Sequence, residues 1–332
     1  MFYTVFRHTV FTLLTFVISA QVVAQEQPVS NVLNPSVYSS TTSITAPKPA
    51  IHRSQKGRWI NASKLAKDLI FPEKTQEFSF FSQPEMAIYK PEGPGPFPAI
   101  VLMHQCGGLR EKKWTNESIL EWARVAVRHG YVAFILDSFL QRDVDTGCFG
   151  TKGGVNYARG VRDTLQAAEH LRKFDFVDGN RVALVGFSWG ATNAVLASGK
   201  AWAEELTVGK RFNAAASFYP SCTPIQPPAG TPYEVVSPDI DQPLLVLMGD
   251  LDNETPPSDC VSRLEKVKKD GAPVEWHVYP NIGHCWDCKN LHNYSKVDFR
   301  GTSVTYKYSA DTTADSDRRL FEFLGRSMPS KQ

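Results

Sequence analysis

The stretch Arg181-Val182-Ala183-Leu184-Val185-Gly186-Phe187-Ser188-Trp189-Gly190-Ala191-Thr192-Asn193-Ala194-Val195-Leu196 decides the fold. It begins as a short apolar, β-branched run, the pattern of a strand buried on both faces. It ends as a run of helix formers. The pentapeptide Gly186-Phe187-Ser188-Trp189-Gly190 joins the two. A Gly-x-Ser-x-Gly pattern alone arises by chance in glycine-containing chains of this size. Between a strand and a helix it describes a sharp turn that lifts a serine hydroxyl to the top of a sheet, over a helix N-terminus. Flanking glycines suit such a turn because side chains there would collide. This context predicts Ser188 as a nucleophile.

Working outward, further runs repeat the strand pattern: Pro98–His104, Tyr131–Leu136, Ala214–Tyr219, Pro243–Met248 and Val274–Tyr279. Helical patterns lie among them at Asn116–Arg128, Asn156–Phe174, Trp189–Ser198, Ser258–Lys269 and Asp317–Arg326. This alternation predicts a mostly parallel sheet of about eight strands flanked by helices. Two short strands before Pro91, one containing Met86–Tyr89, are expected to pair as an edge hairpin. Loops at the C-terminal ends of such strands build the site. The glycine-rich 141–154, the proline-rich 221–241 and the polar 287–316 are the candidates for its walls.

A serine nucleophile needs a base and an orienting carboxylate, in the chain order Ser, acid, His for this kind of turn. After Ser188 come His277, His284 and His292. His277 lies inside a strand pattern, and His292 sits in the long polar stretch. His284 follows a strand in the loop Pro280-Asn281-Ile282-Gly283-His284 and is the expected base. The acid should follow the strand Pro243–Met248, where Asp250, Asp252 and Glu254 compete. Spacing alone does not separate them, although Asp250 stands where an aspartate often binds turn amides. An oxyanion needs two backbone donors. One is expected from Trp189. The other is expected from Cys106, or alternatively Gln105, in His104-Gln105-Cys106-Gly107-Gly108, with His104 structuring that loop.

The chain has 332 residues, 42% hydrophobic and 21% charged, with a net charge of +2. That composition excludes a disordered or low-complexity protein, and no basic run suggests a nucleic-acid partner. At the N-terminus, Arg7 and His8 precede the apolar run Val10–Ala20, then Val22-Val23-Ala24. The run is short for a membrane span and reads as a cleaved secretory signal over residues 1–24. A periplasmic or secreted protein is expected, off the membrane after cleavage. Residues 25–76 read as a flexible N-terminal extension, with a short helix possible near Trp59–Leu69, and 77–328 as the catalytic domain. Four glycosylation sequons occur, at Asn61, Asn116, Asn253 and Asn293. A glycan at Asn253 would obstruct the acid loop, which favours a bacterial source.

Six cysteines behind a signal peptide favour disulfides. Cys222 and Cys260 flank consecutive strands at one end of the sheet, which suggests Cys222–Cys260. Cys285 and Cys288 can close locally. Cys106 and Cys148 remain, in loops the fold sets side by side.

Taken together, the chain resembles the dienelactone hydrolase branch of the α/β-hydrolase superfamily. The resemblance rests on His104-Gln105-Cys106-Gly107-Gly108-Leu109, Asp137-Ser138-Phe139, the Ser188 pentapeptide, Tyr219-Pro220-Ser221-Cys222, Gly249-Asp250-Leu251-Asp252 with Thr255-Pro256-Pro257, and Tyr279 through His284. Tyr308-Ser309-Ala310 and the run Arg319–Leu324 also match the family's end. It covers about Glu77 to Arg326 and implies an α/β-hydrolase fold. It also implies Asp252 as the acid. Two positions depart from the family: Ser188 stands where dienelactone hydrolases look for cysteine, and Gln105 where glycine is usual. Serine points to an ordinary carboxylic ester as the small-molecule substrate, with no cofactor and no metal. The competing readings are a serine peptidase on the same fold, a catalytically silent relative, and a zinc module on His284, Cys285, Cys288 and His292.

Overall fold

Val182 to Phe187 are buried on both sides of their strand, and five further strands line up with them in parallel. The computed structural model describes residues 58–111, 114–206, 209–226, 232–298 and 300–330. Contacts divide the chain into two units, Met1–Lys48 and Pro49–Gln332, and every described residue lies in the second.

Among the described residues the strands are β1 (Thr75–Gln76), β2 (Ala87–Tyr89), β3 (Phe97–Met103), β4 (Arg110–Glu111), β5 (Trp114–Thr115), β6 (Val132–Leu136), β7 (Val177–Phe187), β8 (Ala214–Phe218), β9 (Leu244–Gly249), β10 (Val274–Tyr279), β11 (Ser295–Val297) and β12 (Ser303–Thr305). The α-helices are α1 (Arg58–Ser63), α2 (Glu117–Arg128), α3 (Tyr157–Leu171), α4 (Trp189–Ser198), α5 (Lys200–Leu206), α6 (Ser258–Lys269) and α7 (Ala310–Ser327). The main sheet has eight strands in the order β1-β2-β6-β3-β7-β8-β9-β10. From β6 to β10 every pair is parallel, as the strand–helix alternation predicts.

Successive side chains of a strand face opposite sides, so one strand serves two cores. On β3, Val101 and Met103 pack into the layer that includes Leu165 of α3 and Val195 of α4. Ile100 and Leu102 enter the opposite layer with Ile119 of α2 and Leu324 of α7. Helix α4 is buried on every side, which accounts for its apolar, unpatterned sequence.

Two expectations need correction. Strands β1 and β2 are parallel neighbours, not a hairpin, with Thr75 opposite Ile88 and Gln76 opposite Tyr89. Residues 77–86 carry the chain back to the starting end, and Phe78 stacks on Tyr89 with ring centroids 4.0 Å apart. Second, the described part of the extension expected over 25–76 is anchored on the domain through the buried Trp59, Ser63, Ala66 and Leu69. Trp59 is buried and stacks on Trp202 at 4.0 Å, with Tyr233 edge-on. The buried Arg159 guanidinium binds the Ser63 carbonyl and the Asp68 carboxylate. Average polarity concealed a few well-placed apolar residues: Trp59, Leu69 and Phe71. The signal expected over 1–24, and residues 25–57, lie outside the described residues.

The polar 287–316 segment holds its own small structure. β11 and β12 pair antiparallel, Ser295 with Thr305 and Val297 with Ser303.

Candidate active site

The turn after β7 is built by what its glycines avoid. A Cβ on Gly186 would lie 2.0 Å from the Gly190 carbonyl oxygen, and one on Gly190 would lie 2.3 Å from that of Met103. No other residue type fits either place. Between them Ser188 adopts φ 51° and ψ −109°, a conformation rare for a residue with a side chain. Its amide binds the Phe218 carbonyl, and the Gly190 amide binds that of His104. The amides of Trp189 and Cys106 have no hydrogen-bond partner among the described residues.

Asp252 and His284 arrive on adjacent loops, after β9 and β10. These loops pass backbone to backbone: the Asp250 amide binds the Tyr279 carbonyl, and the Leu251 amide that of Ile282. Gly249 permits this approach, since a Cβ there would lie 2.2 Å from the Ile282 oxygen. The result is a buried chain of contacts. Ser188 Oγ is 3.1 Å from His284 Nε2, and His284 Nδ1 is 2.7 Å from Asp252 Oδ2. The amides of Glu254 and Thr255 donate to Asp252 Oδ1, at 2.9 and 2.8 Å. Thr255 Oγ1 lies 2.8 Å from Asp252 Oδ2, so both carboxylate oxygens are engaged. That leaves Oδ2 aimed at the imidazole and fixes the tautomer: Nδ1 carries the proton, and Nε2 offers its lone pair to the serine hydroxyl.

Burial pushes the His284 pKa down, but the charges of Asp252 and Glu254 outweigh it and hold the ring above the ordinary histidine value. Glu254 Oε2 stands 3.9 Å from His284 Nε2.

The other sequence candidates fall elsewhere. Asp250 accepts the Ile282 amide at 3.2 Å and so braces the loop that carries His284. His277 faces Tyr279 on β10, and His292 accepts the Tyr308 amide. His104 is buried; its Nε2 accepts the Ser138 amide and its Nδ1 donates to the Gln105 carbonyl. Burial lowers its pKa, which suits a neutral ring holding two loops together. Gln105 is buried, its side-chain amide within reach of Asn116, Tyr219 and Ser118.

Disulfides join Cys106 to Cys148, Cys222 to Cys260 and Cys285 to Cys288. They brace the loops carrying Cys106, Asp252 and His284 respectively. The Cys285–Cys288 bond occupies both sulfurs of the alternative zinc set, and His292 is turned to the Tyr308 amide. The structure does not gather those four residues around one point.

Sequence reasoning missed the support beneath His284. The Tyr219 ring lies 4.6 Å from that of His284, and its hydroxyl donates to the buried Asp287 at 2.8 Å. Trp122 Nε1 donates to the other Asp287 oxygen, also at 2.8 Å, and burial raises the Asp287 pKa. Lys296 and Tyr306, from the β11–β12 hairpin, were missed too. No periodic pattern in 287–316 marks them.

The dienelactone hydrolase family model matches residues 85–328. Over 245 residues the chain is 23% identical to a protein of Escherichia coli O157:H7 named "Putative carboxymethylenebutenolidase", covering 69% of this chain and 77% of that one. Among solved structures it is similar to a "Putative Dienelactone Hydrolase" of Klebsiella pneumoniae, with a TM-score of 0.55 and 20% identity over 76% of this chain and 98% of that one. It is also similar to Thermogutta terrifontis esterase 2 phosphorylated by paraoxon, with a TM-score of 0.53 and 20% identity over 79% and 100% of the two chains. At these identities the structural likeness speaks for the fold.

Proposed function

The chain belongs to the dienelactone hydrolase family and is a hydrolase of the carboxylic-ester type; from that premise we propose that it works through a Ser188–His284–Asp252 triad and an acyl-enzyme, in a secreted protein. The observation that carries this reading is the buried relay of 3.1 and 2.7 Å contacts running from Ser188 through His284 to Asp252.

Ser188 Oγ attacks the ester carbonyl carbon, and its proton passes to His284 Nε2. The carbonyl oxygen takes the negative charge, within reach of the Trp189 and Cys106 amides. Collapse of the tetrahedral intermediate breaks the bond to the alcohol oxygen, which leaves with the Nε2 proton. Water then gives a proton to Nε2 and attacks the acyl-serine. Collapse of this second intermediate returns that proton to Ser188 and frees the acid. Asp252 holds the ring in register and offsets its positive charge throughout.

The carboxymethylenebutenolidase name of the Escherichia coli relative raises lactones beside open-chain esters. A panel of p-nitrophenyl esters and a lactone, run on the wild type, Ser188→Ala and His284→Ala, tests the reading. Each variant should lose at least about 10⁴-fold in kcat. Wild-type rates in either would end the proposal. Secretion rests on the N-terminal signal pattern; sequencing the mature N-terminus near Gln25 supports it, and an intact Met1 opposes it.

A further inference from the structure

The relay to Asp252 occupies one nitrogen of His284. On the other side, 3.9 Å from Nε2, stands the carboxylate of Glu254. Its side chain is 13% exposed. Lys296 Nζ binds Oε1 at 2.8 Å, and the Tyr306 hydroxyl donates to Oε2 at 2.8 Å. The backbone is tethered as well, for Arg300 Nη2 donates to the carbonyls of Asn253 and Glu254. The Asn253 side-chain amide donates to the Ser303 carbonyl. Among the described residues, the β11–β12 hairpin and its flank thus supply the hydrogen-bond partners of this carboxylate.

A salt bridge that only clamped the hairpin would have no need to stand against Nε2. In the resting tautomer Nε2 presents a lone pair, and a carboxylate beside it contributes little or is mildly unfavourable. Once Nε2 has taken the Ser188 proton, the ring is a cation and the same carboxylate attracts it. An interaction that becomes favourable as the charge develops lowers the barrier instead of tightening the ground state.

We propose that Glu254 is a positioning residue of the hydrolytic site, a second carboxylate that stabilises the imidazolium of His284, and that Lys296 sets the strength of that effect. This rests on the triad reading above. Among the described residues, the charged and titratable groups facing His284 are Asp252, Glu254, Lys296, Tyr306, Tyr219 and Asp287. Burial raises the Glu254 pKa, but His284 and Lys296 outweigh it and keep the group ionised below the usual glutamate range. Lys296 opposes Glu254 at the ring, while Tyr306 binds the carboxylate without adding charge.

The test is the pH dependence of kcat/KM on p-nitrophenyl acetate for the wild type, Glu254→Gln and Lys296→Met. Alongside it, the His284 imidazole is titrated by NMR in a Ser188→Ala background with and without each change. Glu254→Gln should move the acid midpoint down by roughly 0.5–1 pH unit. It should also lower the plateau kcat about 5–30-fold, with KM within about twofold. Lys296→Met should move the midpoint up. Opposite shifts cannot come from loosening the hairpin, which would act alike in both variants. Unmoved midpoints, or shifts in the same direction, overturn the proposal. If Glu254→Gln does not fold, Lys296→Met decides, and the absence of an upward shift overturns it. Hydrolysis that persists in Ser188→Ala removes the triad reading itself. A dead Ser188→Ala with unmoved midpoints removes only the role of Glu254.

Discussion

At the scale of the residue, the site depends on which way a few side chains point. Asp250 and Asp252 both sit in the loop after β9, and both accept backbone amides. Only Asp252 turns an oxygen to the imidazole. Asp252→Asn should cost about 10³–10⁴-fold in kcat, because the amide favours the wrong tautomer. Asp250→Asn should stay within about threefold, since an amide oxygen can still accept the Ile282 amide. Steady-state kinetics of the two variants check this. In the proposed mechanism His284 acts as base and must be neutral, and its pKa lies above the ordinary histidine value. Activity is therefore full on the alkaline side and falls as pH drops through that raised value, which a kcat/KM profile measures. Sequence spacing left the acid open among three carboxylates; the family resemblance pointed to Asp252, and the geometry sets that residue against the ring. The nearness of Glu254 to Nε2 was not legible, because it depends on a hairpin some forty residues further along.

At the scale of the element, what was legible is what local chemistry dictates. Strands β3, β6, β8 and β9 and the Val182–Phe187 part of β7 are runs of residues that leave water on both faces, so continuous hydrophobicity marks them. The turn at Ser188 is dictated by two glycines that no Cβ could replace. Strand β1 is two residues long and carries no such signal, and its direction depends on tertiary packing of residues 77–86. Helix α1 is six residues long and gains its place from Trp59, not from helix propensity. Trp59→Ala should therefore destabilise the domain by about 3–5 kcal/mol, removing a buried ring stacked on Trp202. Urea unfolding of the two proteins measures this. A change below about 1 kcal/mol would mean that α1 is a passenger.

At the scale of the whole molecule, three disulfides, a mostly parallel sheet and a pair of facing loops converge on one serine. Cys106–Cys148 and Cys222–Cys260 tie the segments beside Cys106 and Asp252 to their neighbours, Cys285–Cys288 closes a short ring beside His284, and Ser188 is held by its own turn between Gly186 and Gly190. The sheet and the order of catalytic candidates could be read along the chain, because each is a local pattern repeated in sequence. The pairing of loops could not, because it arises only when strand ends meet. The proposed role of Ser188 as a nucleophile activated by His284 is tested by intact-protein and peptide mass spectrometry after treatment with a fluorophosphonate. The expected result is one adduct per chain, on the peptide carrying Ser188, abolished in Ser188→Ala and slowed at least about 10³-fold in His284→Ala. An adduct on another residue, or none while ester hydrolysis proceeds, would contradict the claim.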